Sequence, residues 1–517
     1  MADGSGDNAT EPQAALSLKT AKGAGWVIAW RLATRNLGLV STLVLARLLA
    51  PDDFGLVAIA TGFIAAVDAL SAVGVQDALV REPTLDRDLY DTAFTMNFMR
   101  SALTAAVIAV AAWPVAGFFG DLRLMPILLA LAIGTLIAGC ENIGIVDFQR
   151  DLAFHKEFQL QLTGRTVAVV LTIALAVALR SYWALVAGIL AARIARLVQS
   201  YAMSPYRPWF GLRRWRRIVG FSLWTWAAGL AYMVRDRLES IVIGRLLGAA
   251  SVGIFAIGVE VGALPTTELV EPLCRALFSG FAEANRTGLS PARVYLRVVA
   301  AALLLTVPAA VGISLVAGPM IRLALGPQWL KAVPLVWIIA VPGALSVMSN
   351  VSAAVLNAEG LPQLNFHLGA LGAVVKAPLL LGLVAAFGLA GGAIAVALSL
   401  VIEQALYLTT IRRRLGVRMA ELAAGAWRPV VATAIMAAVL VGCGLGWSEA
   451  AGGAPAAARA LAAAVPLGAA TYLVALLGCW LAAGRPDGAE TDALRLIRYS
   501  LRWLRAPIRL ARPAVGS

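Results

Sequence analysis

Five arginines stand where a chain this apolar has little use for charge. Arg31 and Arg35 are four residues apart in one apolar run, so a helix puts both on one face. Arg165 stands in a later run, and Arg235 and Arg237 flank Asp236 in another. A guanidinium offers a permanent charge and a rigid fork of N–H donors, which suits bidentate capture of a phosphate. The chemistry open to these residues is reception of an anion in a wet cavity. Three carboxylates, Asp68, Glu141 and Glu260, lie in similar runs. They could couple an ion to transport. They could equally neutralise the arginines, Arg35 with Asp68 or Glu141 and Arg235 with Glu260, and so only brace the helices. An unpaired charge at the bilayer centre costs about 2.5–3.5 kcal/mol on the insertion scale, so both readings require a partner or water. Arg100 and Glu403 stand nearer the ends of their runs, where a side chain can snorkel to the interface.

The elements that must position these residues are membrane helices. Apolar residues make up 60% of the 517, charged residues 14%, and the mean hydropathy is +0.81. Crossing a bilayer takes roughly 20 apolar residues, and about fourteen runs qualify: 25–48, 55–80, 91–118, 124–147, 158–180, 182–203, 218–246, 251–277, 293–320, 332–357, 364–387, 389–411, 427–449 and 456–483. The runs are continuous rather than alternating, which favours helices over barrel strands. The expected fold is an all-α integral membrane protein.

The net charge of +14 is a matter of topology rather than of nucleic acid. Arginines crowd the connections after even-numbered runs, above all SPYRPWFGLRRWRR (204–217), and the C-terminal tail. The positive-inside rule then puts both termini in the cytoplasm, which requires an even number of crossings. The polar residues 1–24 read as disordered, with no cleaved signal peptide. Residues 484–517 read as a basic amphipathic tail on anionic membrane lipids. Four cysteines, Cys140, Cys274, Cys443 and Cys479, form no Cys-x-x-Cys pair and read as small buried hydrophobes.

Motifs for group chemistry are missing. The sequence has no Gly-x-x-x-x-Gly-Lys-[Ser/Thr] loop and no His-Glu-x-x-His, and its two histidines, His155 and His367, are far apart. No cofactor and no metal are expected, and the chain does not read as an enzyme.

The chain also repeats itself. Residues 43–59 (LVLARLLAPDDFGLVAI) and 241–257 (IVIGRLLGAASVGIFAI) align without a gap at an offset of 198, with seven of seventeen positions identical. That offset spans six crossings, so the copies keep one orientation. Two parallel six-helix lobes follow, 25–217 and 218–411, around a central cavity, with 412–483 as an extra helix pair.

LARLLAPDDFG (45–55), IVIGRLLGAASVGIFAIG (241–258) and LGPQW (325–329) resemble helix junctions of bacterial polysaccharide and oligosaccharide flippases, in the superfamily of multidrug and toxin extrusion carriers. The resemblance implies a carrier that moves undecaprenyl-diphosphate-linked oligosaccharide to the outer leaflet of the bacterial inner membrane. It implies a place in exopolysaccharide or lipopolysaccharide synthesis, beside polymerase and export components. Arg31, Arg35 and Arg165 match the family's cavity cations by location only, and Arg47 and Arg245 read as structural. The rivals are a multidrug or cation antiporter of the same fold, a membrane polymerase or ligase, and a scaffold for polysaccharide assembly.

Overall fold

A computed structural model describes residues 33–71, 86–151, 153–215, 237–267, 290–447 and 453–492, with the single positions 75, 79, 80, 82 and 495. Among these residues every regular element is helical. Ten helices are long and apolar enough to cross a membrane, or eleven if a bent pair is one span. Most of the runs read from the sequence coincide with helices where they are described.

The chain divides into two compact units. The first comprises residues 1–256, 324–329 and 380–392. Its leading helices are α1 (33–48), α2 (Pro51–Ser71), α3 (Arg87–Phe119), α4 (Leu124–Gly139), α5 (Phe154–Leu179) and α6 (Trp183–Met203), followed by α7 (237–247) and the start of α8 (Ala249–Thr267). Lipid offers no hydrophobic drive between helices, so close packing falls to small residues. A methyl group at Gly139 would overlap Ser101 on α3, and one at Gly188 would overlap Thr172 on α5.

The run 124–147, expected as one crossing, is broken. α4 stops at Gly139, and the chain continues through short helical turns, Ile143–Val146 and Asp147–Arg150, bent by 69°. Asn142 holds the bend. Its backbone N–H donates to Ser200 Oγ at 3.0 Å, its side-chain oxygen accepts from Gly144 N at 2.9 Å, and its amide donates to Tyr206 O at 2.7 Å.

The second unit comprises 257–323, 330–379 and 393–517. It carries the rest of α8, most of α9 (Pro291–Ala324), then α10 (Val333–Leu345) and α11 (Val347–Ala358). The helical run Pro362–Leu415 is interrupted at Gly388, with φ 59° and ψ −135°, values that only glycine adopts readily. It is two helices, α12 (362–387) and α13 (389–415), with the break between the two runs read from the sequence. They fold back as a hairpin: Tyr407 OH donates to Asn365 Oδ1 at 2.6 Å across 42 residues. α14 (Met419–Gly442) and α15 (Gly453–Ala482) complete the unit. Tyr472 on α15 donates to Leu304 O on α9 at 2.6 Å. Arg428 of α14 forms a bidentate pair with Glu490 at 2.6 and 3.0 Å, at 9% and 6% exposure.

Cys443 is exposed at the end of α14, against the expectation of burial, and Cys140 and Cys479 are half-buried. Cys274, residues 1–24 and nearly all of the tail beyond Asp492 lie outside the described residues.

Candidate functional site

The structure describes three of the five expected cations; Arg31 and Arg235 lie outside the described residues. Arg35 is half-buried on α1 and Arg165 is exposed on α5. A Cβ on Gly38, one turn beyond Arg35, would lie 2.8 Å from Arg165 Nη2. The fold therefore brings Arg165 across α1 beside the Arg35 turn. Glycine leaves room for the guanidinium there. Arg237, on α7, lines a different and mostly apolar pocket of about 300 Å³ with Ile59, Gly62, Phe63 and Phe118.

Two of the three carboxylates have arginine partners other than those expected. Asp68 on α2 lies 3.5 Å from Arg100 Nη1, and Glu141 beside the α4 break lies 3.1 Å from Arg196 Nη2. Glu260 is exposed on α8. Arg100, expected to snorkel, reaches Asp68, Ser71 and Asn97 in the same unit.

Arg100 and Glu141 line a polar pocket of about 360 Å³ at the α4 break, together with Asn97, Asn142, Arg193 and Arg196. Arg193 and Arg196 were not among the expected cations. Their signal is ARIAR (192–196): two arginines three apart share a helix face, but the flanking apolar run conceals them.

The motif residues that carry the family resemblance fold together as a corner. Pro51 opens α2 without needing an N–H partner. Asp53 accepts from Ala50 N and Tyr182 N, both at 3.0 Å, capping α2 and tying in the α5–α6 turn. Asp52 holds Arg123 at 2.7 Å. Phe54 packs edge-on against Trp329, whose indole N–H donates to Ala46 O at 2.7 Å, as does Gln328. A Cβ on Gly55 would overlap the Ala249 carbonyl oxygen, and one on Gly253 would overlap that of Pro51. Pro51 and Ala249 occupy equivalent places in the repeat, as do Gly55 and Gly253. The two copies thus cross through a local two-fold relation. Arg47 donates to Ala324 O, and Arg245 stacks over Phe118, which fits their structural reading.

The Arg-rich stretch after α6 is strapped to the start of α3. Trp209 N and Tyr206 OH donate to Asp91, Gly211 N to Thr95 Oγ1, and Arg214 N to Thr92 Oγ1. Burial, followed by the hydrogen bond to Asp91, raises the Tyr206 pKa well above its ordinary value. In the second unit, α9, α10 and α14 enclose an apolar groove of about 780 Å³ lined by Val307, Val311, Trp337, Val341, Val430 and Trp447.

Known proteins are similar to this chain in sequence or in fold. The chain is 24% identical over 267 residues to the succinoglycan biosynthesis transport protein ExoT of Rhizobium meliloti (strain 1021), covering 50% of this chain and 53% of that protein. It is 25% identical over 283 residues to the lipopolysaccharide biosynthesis protein WzxC of Escherichia coli (strain K12), covering 52% and 55%. The alignments thus span about half the length of these relatives. The fold is similar to lipid II flippase MurJ in an inward closed conformation, with a TM-score of 0.73 at 12% identity over 89% of this chain and 100% of that one. It is also similar to an inward-facing multidrug resistance MATE family transporter, with a TM-score of 0.60 at 14% identity over 74% and 94%. The model of the polysaccharide biosynthesis protein family matches residues 44–334, more than half of the sequence, and takes in the corner and the Arg100, Arg193 and Arg196 cluster, while Arg35 lies before it. This multi-pass membrane chain belongs to that family.

Proposed function

We propose that the chain is a flippase for an undecaprenyl-diphosphate-linked oligosaccharide. It moves this lipid from the cytoplasmic to the outer leaflet of the bacterial inner membrane during exopolysaccharide or lipopolysaccharide O-antigen synthesis. Both termini are cytoplasmic, about fourteen helices cross the bilayer, and lobes 25–217 and 218–411 alternate access by rocking. The chain is a carrier rather than an enzyme, and it hands its cargo to polymerase and export components.

The observation that carries this reading is Arg165 laid against α1 one turn from Arg35, in helices otherwise built for lipid. A sugar diphosphate cannot enter hydrocarbon with its polar groups unsatisfied, so it needs cations and water along its path. The family and the named relatives supply the substrate class. A multidrug or cation antiporter would need carboxylates free for a proton or metal ion. Asp68 and Glu141 are each engaged by an arginine instead, which favours the flippase.

The test is reconstitution into vesicles with fluorescent lipid-linked oligosaccharide and an impermeant quencher. Wild type exposes label from the inner leaflet, and Arg35→Ala/Arg165→Ala loses at least tenfold in rate. Equal rates in the two rule out these cations as the site, and no flipping of any lipid-linked sugar by wild type rules out the function.

A further inference from the structure

The pocket at the α4 break holds more positive than negative charge. Among the described residues, Arg100, Arg193 and Arg196 are met by two carboxylates, Asp68 and Glu141. Arg196 gives its outer nitrogens to Glu141 Oε2 at 3.1 Å and Gln161 Oε1 at 3.2 Å, and its Nε–H is buried without an acceptor among the described residues. Arg193 makes no hydrogen bond or ion pair within the described residues. Asn97 accepts from Arg100 at 3.4 Å, and its amide N–H groups have no partner among the described residues. What the pocket leaves over is donors. The carboxyl end of α4 offers a partial negative charge, but a helix terminus interacts too weakly to offset an unpaired guanidinium held away from bulk water.

We infer that this pocket is a binding site for a small oxyanion of the phosphate class. Forked guanidinium donors match tetrahedral oxygens better than a spherical ion. The volume, about 360 Å³, accommodates a phosphate group with several waters. Asn142, which lines the pocket, donates to Tyr206 in the Arg-rich strap, so the site lies at the end of the unit that the positive-inside rule assigns to the cytoplasm. Inorganic phosphate from the cytosol and the phosphate of an anionic inner-leaflet lipid both present this chemistry there. The inference is independent of the transport reading, since it concerns binding without turnover.

The full-length protein in phosphatidylcholine nanodiscs tests it. Its unfolding temperature is followed against sodium phosphate, and against sodium chloride at matched ionic strength. A parallel series replaces added phosphate with nanodiscs containing phosphatidylglycerol. The expected result is a saturable rise in one or both series that chloride does not reproduce. Arg193→Gln raises the half-saturating level at least tenfold, and the exposed control Arg213→Gln leaves it unchanged. A response to phosphate alone identifies the free ion, and one to phosphatidylglycerol alone identifies the lipid; both support the site. Without either ligand, Arg193→Gln is at least as stable as wild type, because it removes an uncompensated charge. If Arg193→Gln yields no folded protein, Arg193→Lys keeps the charge without the fork and raises half-saturation several-fold. An equal response to chloride, unchanged half-saturation in the variant, or a loss of ligand-free stability in a folded Arg193→Gln overturns the inference.

Discussion

Gly55→Ala is a severe test of the corner where the two repeat copies cross. The added Cβ would sit 2.5 Å from the Ala249 carbonyl carbon and 3.1 Å from Gly253 N. Ordinary contact for such atoms is about 3.5–4.0 Å. Both obstacles are backbone, so no side chain can swing aside, and α2 must move from α8 by about 1 Å. A gap of roughly 0.5–1 Å forfeits a quarter to a half of each dispersion well, and a buried side chain makes some tens of contacts worth about 0.1–0.2 kcal/mol each. The loss comes to about 1–3 kcal/mol, within the usual range for overpacking. Gly253→Ala meets the Pro51 carbonyl in the same way and should cost a similar amount. The double variant should lose less than the sum, because the first separation already makes room for the second methyl. Heating followed by fluorescence-detected gel filtration measures all three. Wild-type stability in either single variant, or strictly additive losses, would refute the reasoning.

Two further expectations follow from contacts at the ends of the helices. Arg428→Gln should cost about 3–5 kcal/mol, because it leaves Glu490 buried and unpaired, whereas Arg428→Met/Glu490→Met should recover most of that loss; denaturant titration in detergent separates the two. The raised Tyr206 pKa stabilises the strap fully below about pH 10, the value for an unfolded tyrosine, and that stability fades as pH climbs toward the folded value. Amide exchange of residues 204–215 should therefore hold steady from about pH 6 to 9 after correction for intrinsic rates, and protection should fall above about pH 10 in wild type but not in Tyr206→Phe.

Much of the fold was legible because bilayer thickness sets a length and lipid sets a composition. The apolar runs mark the helices, and the boundary between 387 and 389 coincides with the Gly388 turn. The repeat was visible as an offset in the sequence, and its meaning emerges only where Gly55 meets Ala249. Local reading missed whatever depends on distant partners. Glu490 lies 62 residues from Arg428, and nothing near either announces the pair. The α4 break escaped because Cys140, Glu141 and Asn142 interrupt an apolar run too briefly to end it, although Asn142 is the residue that holds the bend. Charge type was readable at Asp68 and Glu141, but charge partners were not. Helix periodicity gives the face of a residue, whereas which helix lies opposite is decided by the whole packing.

The crossing of Gly55 and Gly253 has a bearing on ancestry. Each copy presents the same notch to the other, so neither depends on being first or second along the polypeptide. A half-length forebear carrying a single copy could have made this contact with a twin of itself, as a homodimer in the bilayer. Gene fusion would then have needed only a linker between the two halves, and the Arg-rich strap after α6 begins where such a linker would have to run.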